Sequence, residues 1–220
     1  MARLSASIKS SPTDAQKGCT MQSLIDNART FPERATDQST DLGRLANGQR
    51  PEALFIACSD SRIVPALITG AGPGQLFELR TAGNIVPVYV PERAFGESAT
   101  IEFAVEALAV KNIVVCGHSH CGAVTALVRN EPGTPPEVQR WLADTEPHDE
   151  ARSAVDLHDG NALTSAVQRH VLVQMDRLRS HPSVARRLEE GRLQLHGWYY
   201  AIDTGVVSVL QPQNGKFLPL

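Results

Sequence analysis

The sequence lacks the features of a membrane protein or a nucleic-acid-binding protein. None of its apolar runs approaches the roughly 20 residues of a transmembrane helix. The formal net charge is only -3, and the basic residues are scattered along the chain, which leaves no basic patch for nucleic acid or an anionic membrane. The amino terminus is polar and has no apolar secretory core. We therefore expect a cytoplasmic protein that binds neither nucleic acid nor membrane.

Cysteine and aromatic residues are also scarce. The chain has four cysteines, and aromatic residues make up 5% of it. Such a cysteine content suits a reducing compartment better than a disulfide framework, and we expect Cys19, near the amino terminus, to be a free thiol. With 42% hydrophobic residues, 220 residues suffice for one buried core, so we predict a single domain over 1–220 with a flexible segment over 1–20.

Two polar clusters follow apolar runs that read as buried strands. The run 53–57 leads into CSDSR at 58–62, and the run 113–116 leads into HSHC at 118–121. In an open α/β sheet, ligands bind beyond the carboxyl ends of the strands, so we expect the clusters to meet there. Two thiolates and one imidazole form the ligand set of an open, catalytic zinc site, and the candidates are Cys58, His118 and Cys121.

A structural zinc site with four protein ligands is the alternative. Its fourth ligand would be Cys116 or His120. Cys116 lies inside the apolar run, which favours a side chain packed in the core. His120 is two residues beyond His118 and is expected to point in another direction, either as a solvated turn histidine or as a proton relay.

The hydrophobic pattern predicts alternating strands and helices. The fold class is α/β, with a mostly parallel central β-sheet flanked by helices. The last two strands are expected to form a hairpin at the edge of the sheet, and 131–136 is expected to be a surface loop. The predicted strands are 54–57, 75–79, 113–116, 194–201 and 206–210, and the predicted helices are 21–29, 37–47, 98–108, 122–129, 161–179 and 184–190.

Three motifs resemble those of the β-class carbonic anhydrases. They are CSDSR at 58–62, RTAGN at 80–84 and CGHSHCGA at 116–123, and the similarity to the plant-like branch extends from about residue 22 to the carboxyl terminus, including LHGW at 195–198. The resemblance implies a bacterial zinc enzyme that interconverts carbon dioxide and bicarbonate through a zinc-bound hydroxide. It also implies that Cys58, His118 and Cys121 are the Zn²⁺ ligands.

The same resemblance assigns catalytic roles to Asp60 and Arg62. A guanidinium can hold a carboxylate in a bidentate pair, which keeps it ionised and off the metal. In the family this pair orients the hydroxide, and in some members the aspartate moves onto the zinc at low pH. Whether Asp60 does so here stays open.

Five further residues correspond to substrate-binding positions of that branch. Gln49 is expected to hydrogen-bond the substrate, and the small apolar pocket is expected to be lined by Phe77, Ala82, Phe103 and Gly122. Phe103 stands where the branch has a tyrosine, so the phenol hydroxyl is missing. The other branch, which has an inhibitory bicarbonate site, has a tryptophan at the position of Phe55, and we therefore expect no such site here.

Several residues around the motifs are expected to serve the backbone. Gly83, Gly117 and Gly122 suit a positive φ or a close approach of two chain segments. Arg80 and Asn84 are expected to fix loop geometry through hydrogen bonds rather than to contact substrate.

The resemblance also implies a homodimer or a higher homo-oligomer. In the family the early helices reach over a neighbouring subunit, so 21–48 is the expected helical arm. Two other functions stay open at this point. The same zinc scaffold could hydrolyse carbon disulfide or carbonyl sulfide, or the chain could be a non-catalytic zinc-binding protein.

Overall fold

The computed structural model describes residues 19–37, 41–129, 133–143 and 161–220. The chain divides into two units, Met1–Gly48 and Gln49–Leu220. The flexible segment predicted over 1–20 lies outside the described residues except for its last two, of which Cys19 is an exposed free thiol, as predicted.

Three short helices make up the described part of the first unit: α1 (Met21–Arg29), α2 (Phe31–Asp37) and α3 (Leu42–Ala46). The predicted bounds of α1 are confirmed, and a capping box between Thr20 and Ser23 fixes its start. The single helix predicted over 37–47 is wrong. The chain instead begins α3 anew, because the Asp41 side chain accepts a hydrogen bond from the Arg44 amide at 2.9 Å.

A six-stranded sheet forms the centre of the second unit. Its strands are β1 (Ala53–Cys58), β2 (Leu76–Thr81), β3 (Asn112–His118), β4 (Gln194–Tyr200), β5 (Val207–Gln211) and β6 (Lys216–Pro219), in the order β2-β1-β3-β4-β5-β6. The first four strands are parallel, and β5 and β6 are antiparallel to their neighbours. The predicted α/β fold and the β4–β5 hairpin are confirmed, but the edge strand is β6, which was not predicted.

The helices of this unit are α4 (Pro65–Thr69), α5 (Gly96–Glu102), α6 (Gly122–Arg129), α7 (Pro136–Ala143), α8 (Ala162–Arg179) and α9 (Pro182–Glu189). A π-helical turn, Phe103–Ala107, continues α5. The loop predicted over 131–136 lies partly outside the described residues, and α7 begins at its last position. No helix in the described ranges combines the length and apolar character needed to cross a membrane.

Burial of β1 and β3 explains why both read as continuous apolar runs. All six residues of β1 are buried, and so are six of the seven in β3. The largest core cluster packs Leu54, Ile56 and Ile113 against α5, α8 and α9. Helix α8 lies close to β3, since a Cβ on Gly117 would come within 2.7 Å of Val167 and Val171. The close approach predicted for Gly117 is therefore confirmed.

The strand order places a crevice at the carboxyl ends of β1 and β3. The connection after β1 leads to β2 on one side, whereas the connection after β3 leads to β4 on the other side, so the two connections run in opposite directions. Open α/β sheets bind ligands at such a switch point. Cys58 is the last residue of β1 and His118 is the last residue of β3. The fold thus brings the two polar clusters of the sequence together.

Candidate metal centre

Cys58, His118 and Cys121 meet at the switch point. Their ligand atoms all lie within 4.8 Å of one another, and all three side chains are buried. No other group of three such ligand residues is found in the described ranges, and this group includes neither Cys116 nor His120. A dry site with two sulfur donors and one nitrogen donor suits zinc better than harder cations such as magnesium.

The orientation of His118 leaves one ring nitrogen without a hydrogen-bond partner. Nδ1 lies 2.8 Å from the carbonyl oxygen of Ser119, which can only accept, so Nδ1 carries the hydrogen. Nε2 of a neutral ring then has a free lone pair, and this buried atom has no hydrogen-bond partner within the described part of the chain. Buried polar atoms are seldom left unpaired, and metal-bound histidines usually donate their other N–H to a carbonyl or carboxylate. The site therefore fits a metal ion on Nε2.

The Cys58 and Cys121 thiols shift each other's pKa in opposite directions. A hydrogen bond from the Cys121 thiol, assisted by the nearby His118 and the backbone amides of Asp60 and Gly83, lowers the pKa of Cys58. The Gly83 amide lies 3.3 Å from the Cys58 sulfur. The same pairing, together with burial, raises the pKa of Cys121. The arrangement thus favours one thiolate even before a cation arrives, and a dication removes the second proton.

The predicted bidentate pair between Asp60 and Arg62 is present beside these ligands. Arg62 donates from Nε to Oδ1 of Asp60 at 2.9 Å and from Nη2 to Oδ2 at 2.7 Å. The Arg62 amide also donates to Oδ1 at 3.0 Å. These hydrogen bonds hold the pKa of the Asp60 carboxyl well below its usual range, so it is ionised at neutral pH.

Arg80 supports the loop that carries Cys58 and Asp60. Its guanidinium donates to the carbonyl of Cys58 at 2.7 and 3.2 Å and to the carbonyl of Asp60 at 2.9 Å. The predicted role of Arg80 in loop geometry is therefore confirmed. For Asn84 the role stays a prediction, because neither polar atom of its buried amide has a hydrogen-bond partner among the described residues.

The left-handed residues of the site are only partly those expected. Gly83 has φ +77°, as predicted, and its carbonyl accepts a hydrogen bond at 2.8 Å from Nε2 of His170 in α8. Gly122 has no positive φ, and a Cβ there would meet nothing within 4 Å, so the backbone role predicted for Gly122 is wrong. Nothing in the sequence marked His170, which lies with Gln174 on the mostly apolar buried face of α8.

His120 turns the chain between the two ligands His118 and Cys121. Its φ is +56°, and its Nε2 lies 3.1 and 2.9 Å from the two carboxylate oxygens of Asp203, in the turn after β4. The hydrogen bond from His120 lowers the pKa of Asp203. His120 is therefore tied to a second loop, which neither sequence expectation for it included.

The residues proposed for the substrate pocket fall into two places. Ala82 follows β2 directly after Thr81, whose partner in β1 is Cys58, and Gly122 begins α6 next to Cys121. Gln49 is an exposed residue at the start of the second unit. Ala82 and Gly122 therefore lie at the carboxyl ends of the strands that form the crevice, whereas Gln49 precedes the amino end of β1.

Phe77 and Phe103 lie together at a second location, away from Ala82 and Gly122. Phe77 pairs with Leu54, four residues before Cys58, which corresponds to about 13 Å along the strand. The ring of Phe103 lies 5.9 Å from that of Phe77, and Phe103 is 49% exposed. The two rings thus contact each other away from the metal ligands of their own chain.

Comparison with known proteins gives consistent matches. The sequence profile of the carbonic anhydrase family matches residues 53–207. A carbonic anhydrase of Pseudomonas aeruginosa is 45% identical over 203 residues, which covers 91% of this chain and 92% of that protein. The structure of the β-carbonic anhydrase CcaA superposes with a TM-score of 0.82 at 37% identity, over 91% of this chain and 99% of that one. One of two tetrameric β-carbonic anhydrases from Sordaria macrospora gives a TM-score of 0.73 at 29% identity, over 86% and 95% of the two chains.

Proposed function

The chain belongs to the β-class carbonic anhydrases, lyases that hydrate carbon dioxide, and on that basis we propose that it forms bicarbonate and a proton with a zinc ion held by Cys58, His118 and Cys121. The observation that carries the proposal is the buried, unpartnered Nε2 of His118 within 4.8 Å of two thiol sulfurs. Zinc in a three-ligand site lowers the pKa of a bound water to about 7 and so supplies hydroxide at neutral pH.

Asp60 and Arg62 orient the attacking water. The Asp60 carboxylate is 17% exposed and lies on the loop that follows Cys58, so it can accept a hydrogen bond from water at the open position of the site. Arg62 occupies both carboxylate oxygens, which opposes movement of Asp60 onto the metal. The acceptor of the released proton is the solvent or a buffer at the mouth of the site.

Substrate binding is assigned to an apolar surface beside the crevice and to the amide of Gln49. Carbon dioxide has no dipole, so the walls formed by Ala82 and Gly122 suit it, and the Gln49 amide can donate to an oxygen of carbon dioxide or bicarbonate. Phe103 lacks the hydroxyl of the tyrosine that the plant-like branch has at this position, so the surface that Phe103 contributes to the pocket is apolar. The absence of a tryptophan at Phe55 supports an enzyme without the inhibitory bicarbonate site.

Phe77 and Phe103 reach such a pocket only from a second copy of the chain. Their own metal ligands lie about 13 Å away along β1, whereas the two rings are at least partly exposed and can cover a neighbour's crevice. Exposed apolar residues on the first unit, among them Met21, Leu24 and Phe31, also suit contact with a second copy. We therefore assign a homodimer as the minimum assembly, with 21–48 as the helical arm.

Mixing two inactive variants tests the shared pocket. Co-expressed Cys58→Ser and Phe77→Ala chains form heterodimers in which one site has intact ligands and an intact neighbouring Phe77. Activity above that of either parent is expected. If each chain's Phe77 served its own site, no heterodimer would regain activity, and a monomer by light scattering would contradict the assembly itself.

Stopped-flow carbon dioxide hydration on the zinc-loaded protein tests the function. Turnover that rises with pH and is lost in Cys58→Ser is expected, with Cys116→Ala as the matched control for loss of a buried thiol. Absence of turnover at every pH would refute the assignment, and carbonyl sulfide and carbon disulfide would then be tried on the same preparation.

A further inference from the structure

His120 has an unfavourable backbone conformation next to the metal ligands. Its φ of +56° is left-handed, and the only other described non-glycine residues with positive φ are Asn84 and Ala109. A side chain with a Cβ disfavours this region, so residues keep it where the surroundings enforce it. Glycine stands at many such turns, but here the chain has histidine, which can make a contact that glycine cannot.

The contact that histidine makes is the hydrogen bond to Asp203. Both carboxylate oxygens lie within 3.1 Å of Nε2. Asp203 lies in a turn closed by a hydrogen bond of 2.8 Å from the Gly205 amide to the Ala201 carbonyl. Ser119 joins the same turn, because its hydroxyl accepts from the Ile202 amide at 2.9 Å. The ligand loop is therefore held by the turn between β4 and β5.

In the left-handed conformation, the backbone carbonyl of His120 contacts Arg62. The His120 carbonyl accepts a hydrogen bond from Nη2 of Arg62 at 3.2 Å, and the same Nη2 donates to Asp60 at 2.7 Å. Arg62 is half exposed, with 48% of its side chain accessible, so without this carbonyl the guanidinium has fewer constraints. The backbone of His120 thus helps to fix the Asp60–Arg62 pair.

We propose that Asp203 is a positioning residue, which holds His120 in its left-handed conformation so that the His120 carbonyl fixes Arg62, and through it Asp60, beside the metal. The catalytic part of this inference rests on the proposed function, whereas the coupling between Asp203 and Arg62 does not. An isolated surface ion pair would contribute little and would leave Arg62 unaffected.

The test compares Asp203→Ala in the native chain and in a His120→Gly background. In the native chain, loss of this exposed hydrogen bond is expected to lower kcat/KM for carbon dioxide hydration by about two- to fivefold. It is also expected to shift the Arg62 Nε–H resonance in ¹⁵N NMR and speed its exchange with water. In the His120→Gly background, Asp203→Ala is expected to change neither quantity, because glycine needs no support for a positive φ. Asp176→Ala, which removes another exposed carboxylate paired with an arginine, is the matched control.

The two readouts separate this inference from the proposed function. If Asp203→Ala left the Arg62 Nε–H resonance unchanged in the native chain, the inference would be overturned. An equal effect of Asp203→Ala in the native chain and in the His120→Gly background would also overturn it. If the native protein hydrates no carbon dioxide, the proposed function fails, but the Arg62 resonance still tests the coupling.

Discussion

The interior of strand β3 and the loop after it each contain a fully buried cysteine. Cys116 and Cys121 are both 0% exposed. In the strand interior, burial alone acts on Cys116 and raises the pKa of its thiol to about 12, so it stays neutral. In the loop, Cys121 lies beside the Cys58 thiol and the first amides of α6. Burial therefore does not distinguish an inert cysteine from a metal ligand, whereas the polar groups at the strand end do.

The largest expected effect comes from replacing the loop cysteine. Cys121→Ser removes a thiolate ligand, and zinc affinity is expected to fall by more than about 100-fold, the upper range for loss of a supporting group around a metal. Competition with a chelator of known affinity measures this, together with the zinc content after dialysis. Cys116→Ala is expected to retain its zinc. Equal zinc loss in both variants would contradict the assignment of Cys121 as a metal ligand and of Cys116 as an inert core residue.

A second prediction concerns the charge next to the loop. Arg62 lowers the pKa of Asp60, so the carboxylate stays ionised, and its contribution to activity persists, until the pH falls through that lowered value. In Arg62→Ala the pKa of Asp60 rises toward its ordinary range. A second acidic loss of kcat/KM, below the fall set near neutral pH by ionisation of the attacking water, is therefore expected to begin at higher pH than in the native protein. At neutral pH a fall of about 10- to 100-fold is expected.

Arg62→Lys sharpens this prediction, since a point charge keeps some attraction but not the bidentate geometry. Its acidic limb is expected to lie between those of the other two proteins. An acidic limb that does not move in Arg62→Ala would show that Asp60 does not control the profile. Arg29→Ala, at an exposed pair in α1, is the control for general charge effects.

In the interior of β3, adding a methyl group is expected to destabilise the protein, just as removing a ligand from the loop is expected to weaken zinc binding. Gly117→Ala places a Cβ within 2.7 Å of Val167 and Val171, and overpacking of this kind costs about 1–3 kcal/mol of unfolding free energy. The melting temperature is expected to fall by about 2–4 °C per kcal/mol. Gly96→Ala, where nothing lies within 4 Å, is the matched control. Equal stability of the two variants would contradict the close packing of α8 on β3.

The smallest expected effect is on the stability of the Cys116 variant. Cys116→Ala removes one buried sulfur atom from the cluster with Phe55 and Val114. A loss of about 1 kcal/mol in unfolding free energy is expected. Urea denaturation of the zinc-loaded protein measures it, and a change in hydration rate beyond error would show that the strand interior also reaches the site.

The sequence predicted the existence of β1 and β3, though not their exact bounds, because burial on both faces leaves an uninterrupted apolar run. It predicted Cys58, His118 and Cys121 because the ligands follow those runs directly. It did not reveal α4, a five-residue helix whose Leu67 is 80% exposed, because such a helix has no amphipathic period to recognise. The short edge strand β6 was missed for the same lack of pattern.

Contacts between segments far apart in the chain could not be predicted from the sequence either. Asp203 is 83 residues from His120, and only the pairing of β3 with β4 brings their loops together. The left-handed turn was expected at Gly122 because glycine favours it, but the chain makes the turn at His120 instead. His120 contacts a carboxylate in the turn after the neighbouring strand β4, and the local sequence does not reveal this contact.

Zinc X-ray absorption on the loaded protein tests the central claim most directly, that Cys58, His118 and Cys121 hold zinc with one position open. The account predicts two sulfurs at about 2.3 Å, one imidazole nitrogen at about 2.0–2.1 Å and one light atom, with a third sulfur replacing the light atom when hydrosulfide is added. A spectrum with three sulfurs before the addition, or one that hydrosulfide leaves unchanged, would contradict it.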